Sequence, residues 1–138
     1  MLQLDAYLFF DGNCAEAMRF YQRTLGGELT MMTNAESPVA TLTPPENANR
    51  IMHARLALDG RTLMASDWMT GQPYEGKKGF SLAIAYPTVA EAKRMFAALA
   101  EGGKVTMPFD RTFWAEGFGM LVDRFGTHWM VNGNLASR

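Results

Sequence analysis

The sequence predicts an α+β fold made of two tandem β-α-β-β-β modules that arose by internal duplication. One observation is a repeat: Ala15 to Arg19 recurs as Ala90 to Arg94, 75 residues later, and Gly26 to Met31 recurs as Gly102 to Met107, 76 residues later. The other observation is that the residue pattern of each copy predicts a helix with one strand before it and further strands after it. We therefore expect repeats of about 2–68 and 79–133 within a single domain, 1–138.

Composition limits the classes of protein that this chain can represent. It has 138 residues, of which 48% are hydrophobic, so one domain with a real core is expected. The formal net charge of −1 lacks the positive field that a nucleic-acid or anionic-membrane binder needs. A single cysteine, Cys14, and the absence of a long apolar run predict a cytoplasmic protein without an internal disulfide. Small-molecule or protein partners remain.

The first module is predicted from helix-terminus signals and alternating strands. Asn13 is the expected N-cap of the first helix, and Gly26 is expected just beyond its end. Asp59-Gly60 suits a two-residue hairpin turn. The predicted strands around these signals are 2–10, a short strand after the helix, 52–58 and 62–68.

The second module repeats this order. Thr88 and Glu91 form a capping box for the second helix, which Gly102-Gly103 should end. A second hairpin turns at 123–126. The predicted strands are 80–86, a short strand after the helix, 117–122 and 127–132.

Two segments fall outside the repeat. Residues 34–50 form a long irregular loop that belongs to the first module only, and such a loop serves as a lid, an interface arm or a solvated insertion. Residues 69–78, which are rich in glycine and proline, are expected to connect the two modules.

Several motifs, in order along the chain, resemble one known family. They are Tyr7-Leu8-Phe9-Phe10-Asp11-Gly12-Asn13-Cys14, His53-Ala54, Ser66-Asp67, Thr112-Phe113-Trp114, Phe118-Gly119-Met120 and Asp123-Arg124-Phe125-Gly126. With the duplicated module, they resemble the vicinal oxygen chelate superfamily of glyoxalases, bleomycin-resistance proteins and dioxygenases, and most closely its PhnB-like branch. That branch often carries the name 3-demethylubiquinone-9 3-methyltransferase. The resemblance implies sheets that curl around a cleft, which the other module or a second subunit completes, and it implies a homodimer.

The resemblance also implies where a metal would be held. Metal enzymes of the superfamily take ligands from the first and last strand of each module, and these positions fall at Met64 and Met130, near Asp5 or Tyr7, and near Leu82 or Ile84. Only Asp5 among them suits a divalent metal, because a thioether is a soft and weak ligand. We therefore expect no metal and no cofactor, with a divalent metal as the less favoured alternative.

The alternation of side chains along the strands predicts which polar residues line the cleft. If Met64 lines the cleft, Ser66 shares its face, while His53 and Arg55 point away from the helices and into the cleft. Arg55 suits a carboxylate or phosphate. The alternatives are that His53 is a half-buried structural residue and that Arg55 pairs with Asp67 or Glu116. His128, beside a turn, is expected to be exposed or hydrogen-bonded.

Aromatic side chains surround the presumed cleft, as in ordinary small-molecule sites. Trp114 is expected in the pocket or at an interface, whereas Phe118 and Trp129 are expected to pack on the helices. Trp68 ends the strand that carries Met64. Cys14 is predicted to be an inert buried thiol. The predicted ligand-binding residues are Tyr7, Phe9, His53, Arg55, Met64, Ser66, Trp114 and Met130.

Three functions remain open on the sequence. The favoured one is binding of a small organic ligand, which can be anionic, in an aromatic cleft without the usual metal. The second is a lyase, isomerase or dioxygenase whose relocated site uses His53, Arg55, Asp67 and Glu116. The third is a protein-interaction module that uses the 34–50 loop. The methyltransferase name has no support, since no glycine-rich strand-to-helix turn for S-adenosylmethionine occurs.

Overall fold

The computed structural model describes residues 1–135 and confirms the predicted fold class. Each module contributes one α-helix and one four-stranded sheet, and two short 3-10 helices, Ala40–Leu42 and Pro45–Asn47, lie in the first module. The chain divides into two compact units, Met1–Gly76 and a second that begins at Lys77. No helix in the described part of the chain is long and apolar enough to cross a membrane. The elements are β1 (Ala6–Phe10), α1 (Cys14–Leu25), β2 (Glu28–Thr33), β3 (Ile51–Leu58), β4 (Arg61–Asp67), β5 (Leu82–Tyr86), α2 (Val89–Ala100), β6 (Lys104–Asp110), β7 (Ala115–Val122) and β8 (His128–Leu135).

The two sheets have the same topology, which is the structural counterpart of the sequence repeat. Their strand orders are β1-β4-β3-β2 and β5-β8-β7-β6. In each sheet the opening strand pairs in parallel with the last strand of its module, and the other pairs are antiparallel. The opening and last strands of each module are thus neighbours.

In the first unit, α1 covers one face of its sheet and leaves the other to the site. Leu8 and Leu56 are almost completely buried on the covered face, and Met18 and Tyr21 of α1 are fully buried. Because side chains alternate along a strand, the residues next to Leu8 and Leu56 point to the opposite face. That alternation decides which side chains are available for function.

The first turn of α1 is capped by a residue that the sequence did not nominate for this role. Asn13 occupies the N-cap position of α1, as predicted, but its side chain makes no capping hydrogen bond. Instead Oδ1 of Asp67 accepts hydrogen bonds from the backbone N–H of Gly12 (2.9 Å) and of Cys14 (3.0 Å), and Oδ2 accepts one from Ile51 (2.8 Å). A carboxylate at a helix N-terminus satisfies exposed N–H groups and interacts favourably with the helix dipole.

The remaining helix and turn signals agree with the structure. Oγ1 of Thr88 accepts a hydrogen bond from the backbone N–H of Glu91 at 3.2 Å, which caps α2. Asp59 and Gly60 both have positive φ angles, 45° and 74°, as a two-residue hairpin turn requires.

Glycines on β7 bring α2 close to the second sheet. A Cβ atom on Gly119 would lie 2.5 Å from the ring of Phe96 on α2, so only glycine fits here without a shift. Gly119 therefore faces α2, and its neighbour Phe118 faces away from the helix. The expectation that Phe118 packs on α2 is wrong, whereas Trp129, on the opposite face of β8 from Met130, lies on the α2 side as expected.

The 34–50 loop is closed by hydrogen bonds at its base. The side-chain amide of Asn34 donates a hydrogen bond to the backbone oxygen of Asn47 at 2.9 Å. The backbone N–H of Asn34 donates one to the backbone oxygen of Arg50 at 3.0 Å. Asn47, which is almost completely buried, accepts hydrogen bonds from the N–H and hydroxyl of Thr70. The loop is thus tied to the segment after β4, and Leu42, 81% exposed, lies near its outer turn. Its use as an interface arm stays a prediction.

Candidate functional site

Most of the predicted site residues lie together on the uncovered face of the first sheet. Tyr7 pairs with Met64 across β1 and β4, and Met64 pairs with Arg55 across β4 and β3. Phe9 pairs with Ser66 across the same two strands, β1 and β4, two residues further along each strand and on the same face. His53, two residues before Arg55, completes a surface that we call the first-sheet face: Tyr7, Phe9, His53, Arg55, Met64 and Ser66.

Tyr7 and His53 form the polar centre of the first-sheet face. The hydroxyl of Tyr7 lies 3.2 Å from Nδ1 of His53, and the two ring centroids are 5.8 Å apart. The hydroxyl donates if Nδ1 is unprotonated and accepts if Nδ1 carries the proton. In either case the pair holds the imidazole in one orientation and leaves Nε2 available to a ligand.

An aromatic row borders this polar pair. The ring of Phe9 is 5.2 Å from that of Tyr7 and 5.2 Å from that of Trp68, which it meets edge-on. Tyr7 and Phe9 remain 38% and 42% exposed. The Nε1 atom of Trp68 is buried and has no hydrogen-bond partner among residues 1–135. An apolar wall with a few polar groups is typical of small-molecule sites.

Arg55 provides an exposed cation on the first-sheet face. Its only hydrogen-bond contact within the described part of the chain is a long one, 3.5 Å, from its guanidinium to Oγ1 of Thr62. It forms no ion pair with Asp67 or with Glu116, the two partners that the sequence suggested. The guanidinium can therefore donate two parallel hydrogen bonds to a carboxylate or phosphate.

Asp67 is not brought together with His53 and Arg55. It lies one residue beyond Ser66, so its side chain points to the α1 side of the sheet, where it is almost completely buried. Both of its oxygens are engaged by backbone N–H groups at the start of α1 and β3. These bonds give Asp67 a structural role and leave no oxygen for acid-base chemistry on the first-sheet face.

Methionine and apolar side chains stand at most of the positions where the resemblance implied metal ligands. Met64 lies between Tyr7 and Arg55, and Met130 pairs with Met120 on β7 and Ala83 on β5. Leu82 and Ile84 lie on the α2 side of the second sheet, opposite Trp129 and Val131, whereas Ala83 is the residue that pairs with Met130. Asp5 lies before β1 and is exposed. Among residues 1–135, no three His, Cys, Asp or Glu side chains come together in a way that could hold a metal ion.

The second sheet carries its own uncovered face. Met130 and Phe118 lie on it, and the ring of Trp114 meets that of Phe118 edge-on at 5.1 Å. Glu116 is exposed near the start of β7, and His128 is half-buried at the start of β8. Trp114 and Met130 thus belong to the second unit, while the other six predicted ligand-binding residues belong to the first. Cys14 is fully buried, as expected.

Two residues that the sequence did not nominate support the edge of the first-sheet face. The hydroxyl of Tyr74 donates a hydrogen bond to the backbone oxygen of Phe9 at 2.6 Å, and Nη1 of Arg50 donates to the backbone oxygen of Trp68 at 2.6 Å and to Oδ1 of Asp11 at 3.1 Å. Burial raises the pKa of Tyr74, and the charges of Asp11 and Asp67 raise it further. Tyr74 comes from the glycine-rich connector, where no periodic pattern indicates a contact with β1.

Comparisons with known proteins agree with this geometry. A family model for the Glyoxalase/Bleomycin resistance protein/Dioxygenase superfamily matches residues 3–131. Protein YjdN of Escherichia coli (strain K12) is 39% identical over 143 residues, which cover 95% of each chain. The crystal structure of protein PA1353 from Pseudomonas aeruginosa is 50% identical, with a TM-score of 0.89 over 96% of this chain and 97% of that one.

A third comparison concerns the PhnB-like resemblance. The solved structure of a PhnB protein from Bacillus cereus is 24% identical, with a TM-score of 0.77 over 95% of this chain and 98% of that one. That protein is described as a proposed 3-demethylubiquinone-9 3-methyltransferase. At this identity the likeness shows the shared fold and not an activity. The predicted resemblance is confirmed, and the chain belongs to the glyoxalase/bleomycin resistance protein/dioxygenase superfamily.

Proposed function

We propose that this protein binds a small organic anion with an aromatic or apolar part on the first-sheet face, without the usual metal of the superfamily. The observation that carries the proposal is the row Tyr7, Met64 and Arg55 across three neighbouring strands. Met64 is flanked by Tyr7 on β1 and by the guanidinium of Arg55 on β3, and Tyr7 also bonds to His53 on β3.

Each group has a definite part in the proposed binding. Arg55 binds the carboxylate or phosphate of the ligand through two donors, since its guanidinium makes no ion pair in the described part of the chain. His53 offers Nε2 as a further hydrogen-bonding atom, and its orientation is fixed by Tyr7. Phe9 and Met64 contact the apolar part of the ligand, and methionine adapts to varied shapes. Ser66 is the remaining proposed contact on the first-sheet face.

The proposal of metal-free binding is supported by the donor chemistry. Methionine occupies both last-strand positions, and the Tyr7 hydroxyl engages one nitrogen of the nearest imidazole. Zinc, nickel, iron and manganese sites in proteins use imidazole and carboxylate donors rather than thioethers. The competing function, a metal-dependent lyase, isomerase or dioxygenase, needs His53, Arg55, Asp67 and Glu116 to act together. It is weakened by the backbone hydrogen bonds of Asp67.

A homodimer in the cytoplasm is the proposed working form. Large apolar side chains are exposed on both sheets, with Phe9 of β1 at 42% and Met107 of β6 at 43%, and Phe80, just before β5, is 48% exposed. A second copy of the chain would cover such surface, since soluble monomers seldom leave large apolar patches in water. The mass in solution at micromolar concentration tests this, and a monomer would contradict it.

Binding is tested with simple probes and a matched control. Benzoate, 1-naphthoate and phenyl phosphate would be titrated calorimetrically into the wild-type protein, Arg55→Gln and Arg61→Gln. Arg61 begins β4 and is also exposed, so it controls for loss of one positive charge. We expect Arg55→Gln to weaken binding about tenfold or more, and Arg61→Gln to leave it unchanged. Equal binding by all three proteins would contradict the proposal.

A further inference from the structure

A concavity lies in the second unit, at the end of the sheet where β7 begins and β8 ends. Its volume is about 450 Å³, and Ala115 and Leu135 pair across its floor. A volume of this size is typical of sites for small molecules. The side chains that define it are those of Arg111, Thr112, Phe113, Glu116, Asn134 and Leu135.

Two opposite charges line this concavity without neutralising each other. Within residues 1–135, neither the guanidinium of Arg111 nor the carboxylate of Glu116 has an ion-pair or hydrogen-bond partner. A simple anion would be attracted by Arg111 and repelled by Glu116, and a simple cation would meet the reverse. A ligand that carries both charges can satisfy both side chains at once.

We propose that this concavity binds a zwitterionic α-amino acid with an apolar or aromatic side chain. The carboxylate of the amino acid is bound by Arg111, whose planar fork fits a carboxylate with two parallel hydrogen bonds. The ammonium group is bound by Glu116. The side chain of the amino acid lies against Phe113 and Leu135.

Phe113 is suited to this contact. It is 93% exposed, yet its ring meets that of Trp114 edge-on with centroids 4.8 Å apart, so it has a fixed neighbour on one side and an open surface on the other. An aromatic ring that is already held gives contact area at low conformational cost. Asn134 adds a carboxamide that can donate and accept, and its positive φ of 51° places it in a conformation that asparagine tolerates.

This site is independent of the proposed anion site. Its residues all belong to the second unit, and none of them lies on the first-sheet face. Loss of Arg55 should therefore leave amino-acid binding unchanged, and loss of Arg111 should leave binding of benzoate unchanged. The two proposals can fail separately.

The test uses three probes with the same phenylethyl skeleton: L-phenylalanine, 3-phenylpropanoate, which lacks the ammonium group, and 2-phenylethylamine, which lacks the carboxylate. Each would be titrated into the full chain by NMR, with the backbone amide signals of 111–116 and 134 as the readout. We expect millimolar or tighter binding of L-phenylalanine, and binding of the other two that is weaker by about tenfold or more.

Variants assign the effect to the named side chains. Arg111→Gln and Glu116→Gln should each weaken binding of L-phenylalanine about tenfold, while Arg94→Gln, an exposed arginine on α2, should not. Asn134→Gly keeps the positive φ without strain and should weaken binding about threefold by removing the carboxamide. No binding of L-phenylalanine at millimolar concentration, equal binding of the three probes, or unchanged binding by Arg111→Gln and Glu116→Gln would overturn the proposal.

Discussion

Asp67 and Cys14 are joined by a 3.0 Å hydrogen bond from the backbone N–H at the first residue of α1 to the carboxylate at the last residue of β4. Through this bond and its companions to Gly12 and Ile51, one buried carboxylate fixes the start of the helix, the start of β3 and the end of β4. The same chain segment carries Ser66 and Met64 on its other face. The stability of the first unit and the position of the first-sheet face are therefore linked.

Asp67→Asn is expected to destabilise the protein by about 2–4 kcal/mol, because the amide loses the charge-assisted bonds and turns an NH₂ group toward one of three backbone N–H donors. Urea unfolding followed by circular dichroism measures the change. Asp59→Asn is the matched control, since Asp59 is an exposed turn residue with a positive φ that asparagine also adopts. Equal stability of Asp67→Asn and Asp59→Asn would contradict the structural role of Asp67.

Gly119→Ala is expected to lower the free energy of unfolding by about 1–3 kcal/mol, because its Cβ would lie 2.5 Å from the ring of Phe96. The double variant Gly119→Ala/Phe96→Leu separates the clash from other effects. If the clash is the cause, the double variant loses less free energy of unfolding than the sum of the losses in the two single variants. Strict additivity would show that Gly119 does not contact α2 through this ring.

His53→Ala and Tyr7→Phe test the polar centre of the first-sheet face. With 1-naphthoate as the probe, His53→Ala should weaken binding about tenfold, because it removes the imidazole that bonds the ligand. Tyr7→Phe should weaken it less, about threefold, because it only frees the imidazole to rotate. Calorimetric titration gives both values. Tighter or unchanged binding by His53→Ala would remove His53 from the proposed site.

The stability of the protein should fall at alkaline pH in a way that depends on Tyr74. Burial, Asp11 and Asp67 raise the pKa of Tyr74 in the folded state above its ordinary value of 10.0. The contribution of Tyr74 is thus fully present below pH 10.0 and is lost as the pH rises through the folded pKa, because the unfolded tyrosine releases its proton first.

Urea unfolding between roughly pH 8 and pH 11 measures this loss. Tyr74→Phe should be less stable at pH 8 by about 1 kcal/mol, since the bond to the Phe9 oxygen is gone, but it should lose less stability at higher pH. Burial also raises the pKa of Tyr86. Tyr86→Phe is therefore measured too, so that the loss of stability at alkaline pH can be assigned to each tyrosine. An unchanged pH slope in Tyr74→Phe would refute the assignment.

The sequence predicted the fold and most of the first-sheet face because both follow from local regularities. The repeat gave the module order, and period-2 alternation put His53 and Arg55 on the face of Met64. Alternation holds at Phe118, but the face was assigned wrongly, because small glycines occupy the α2 side and the large aromatic ring takes the uncovered side. The size of a side chain is therefore an unreliable guide to the core face wherever a helix approaches the sheet closely.

Long-range pairings explain what the sequence could not indicate. Asp67 caps a helix that begins 53 positions earlier in the chain, and no local signal distinguishes it from a catalytic carboxylate. Tyr74 contacts β1, and Arg50 contacts Trp68 just beyond β4, from irregular segments whose course depends on the finished fold. The concavity around Arg111 and Asn134 joins two segments that are distant in sequence, so neither residue was a candidate.

The most direct test of the central proposal is calorimetric titration of 1-naphthoate into protein that has been treated with a chelator and dialysed. Because Met64 and Met130 are unsuited to a metal and Arg55 supplies the positive charge, we expect the affinity to equal that of untreated protein. Loss of binding after chelation, with recovery on adding zinc, nickel, manganese or iron, would contradict the account and favour a metal-dependent enzyme.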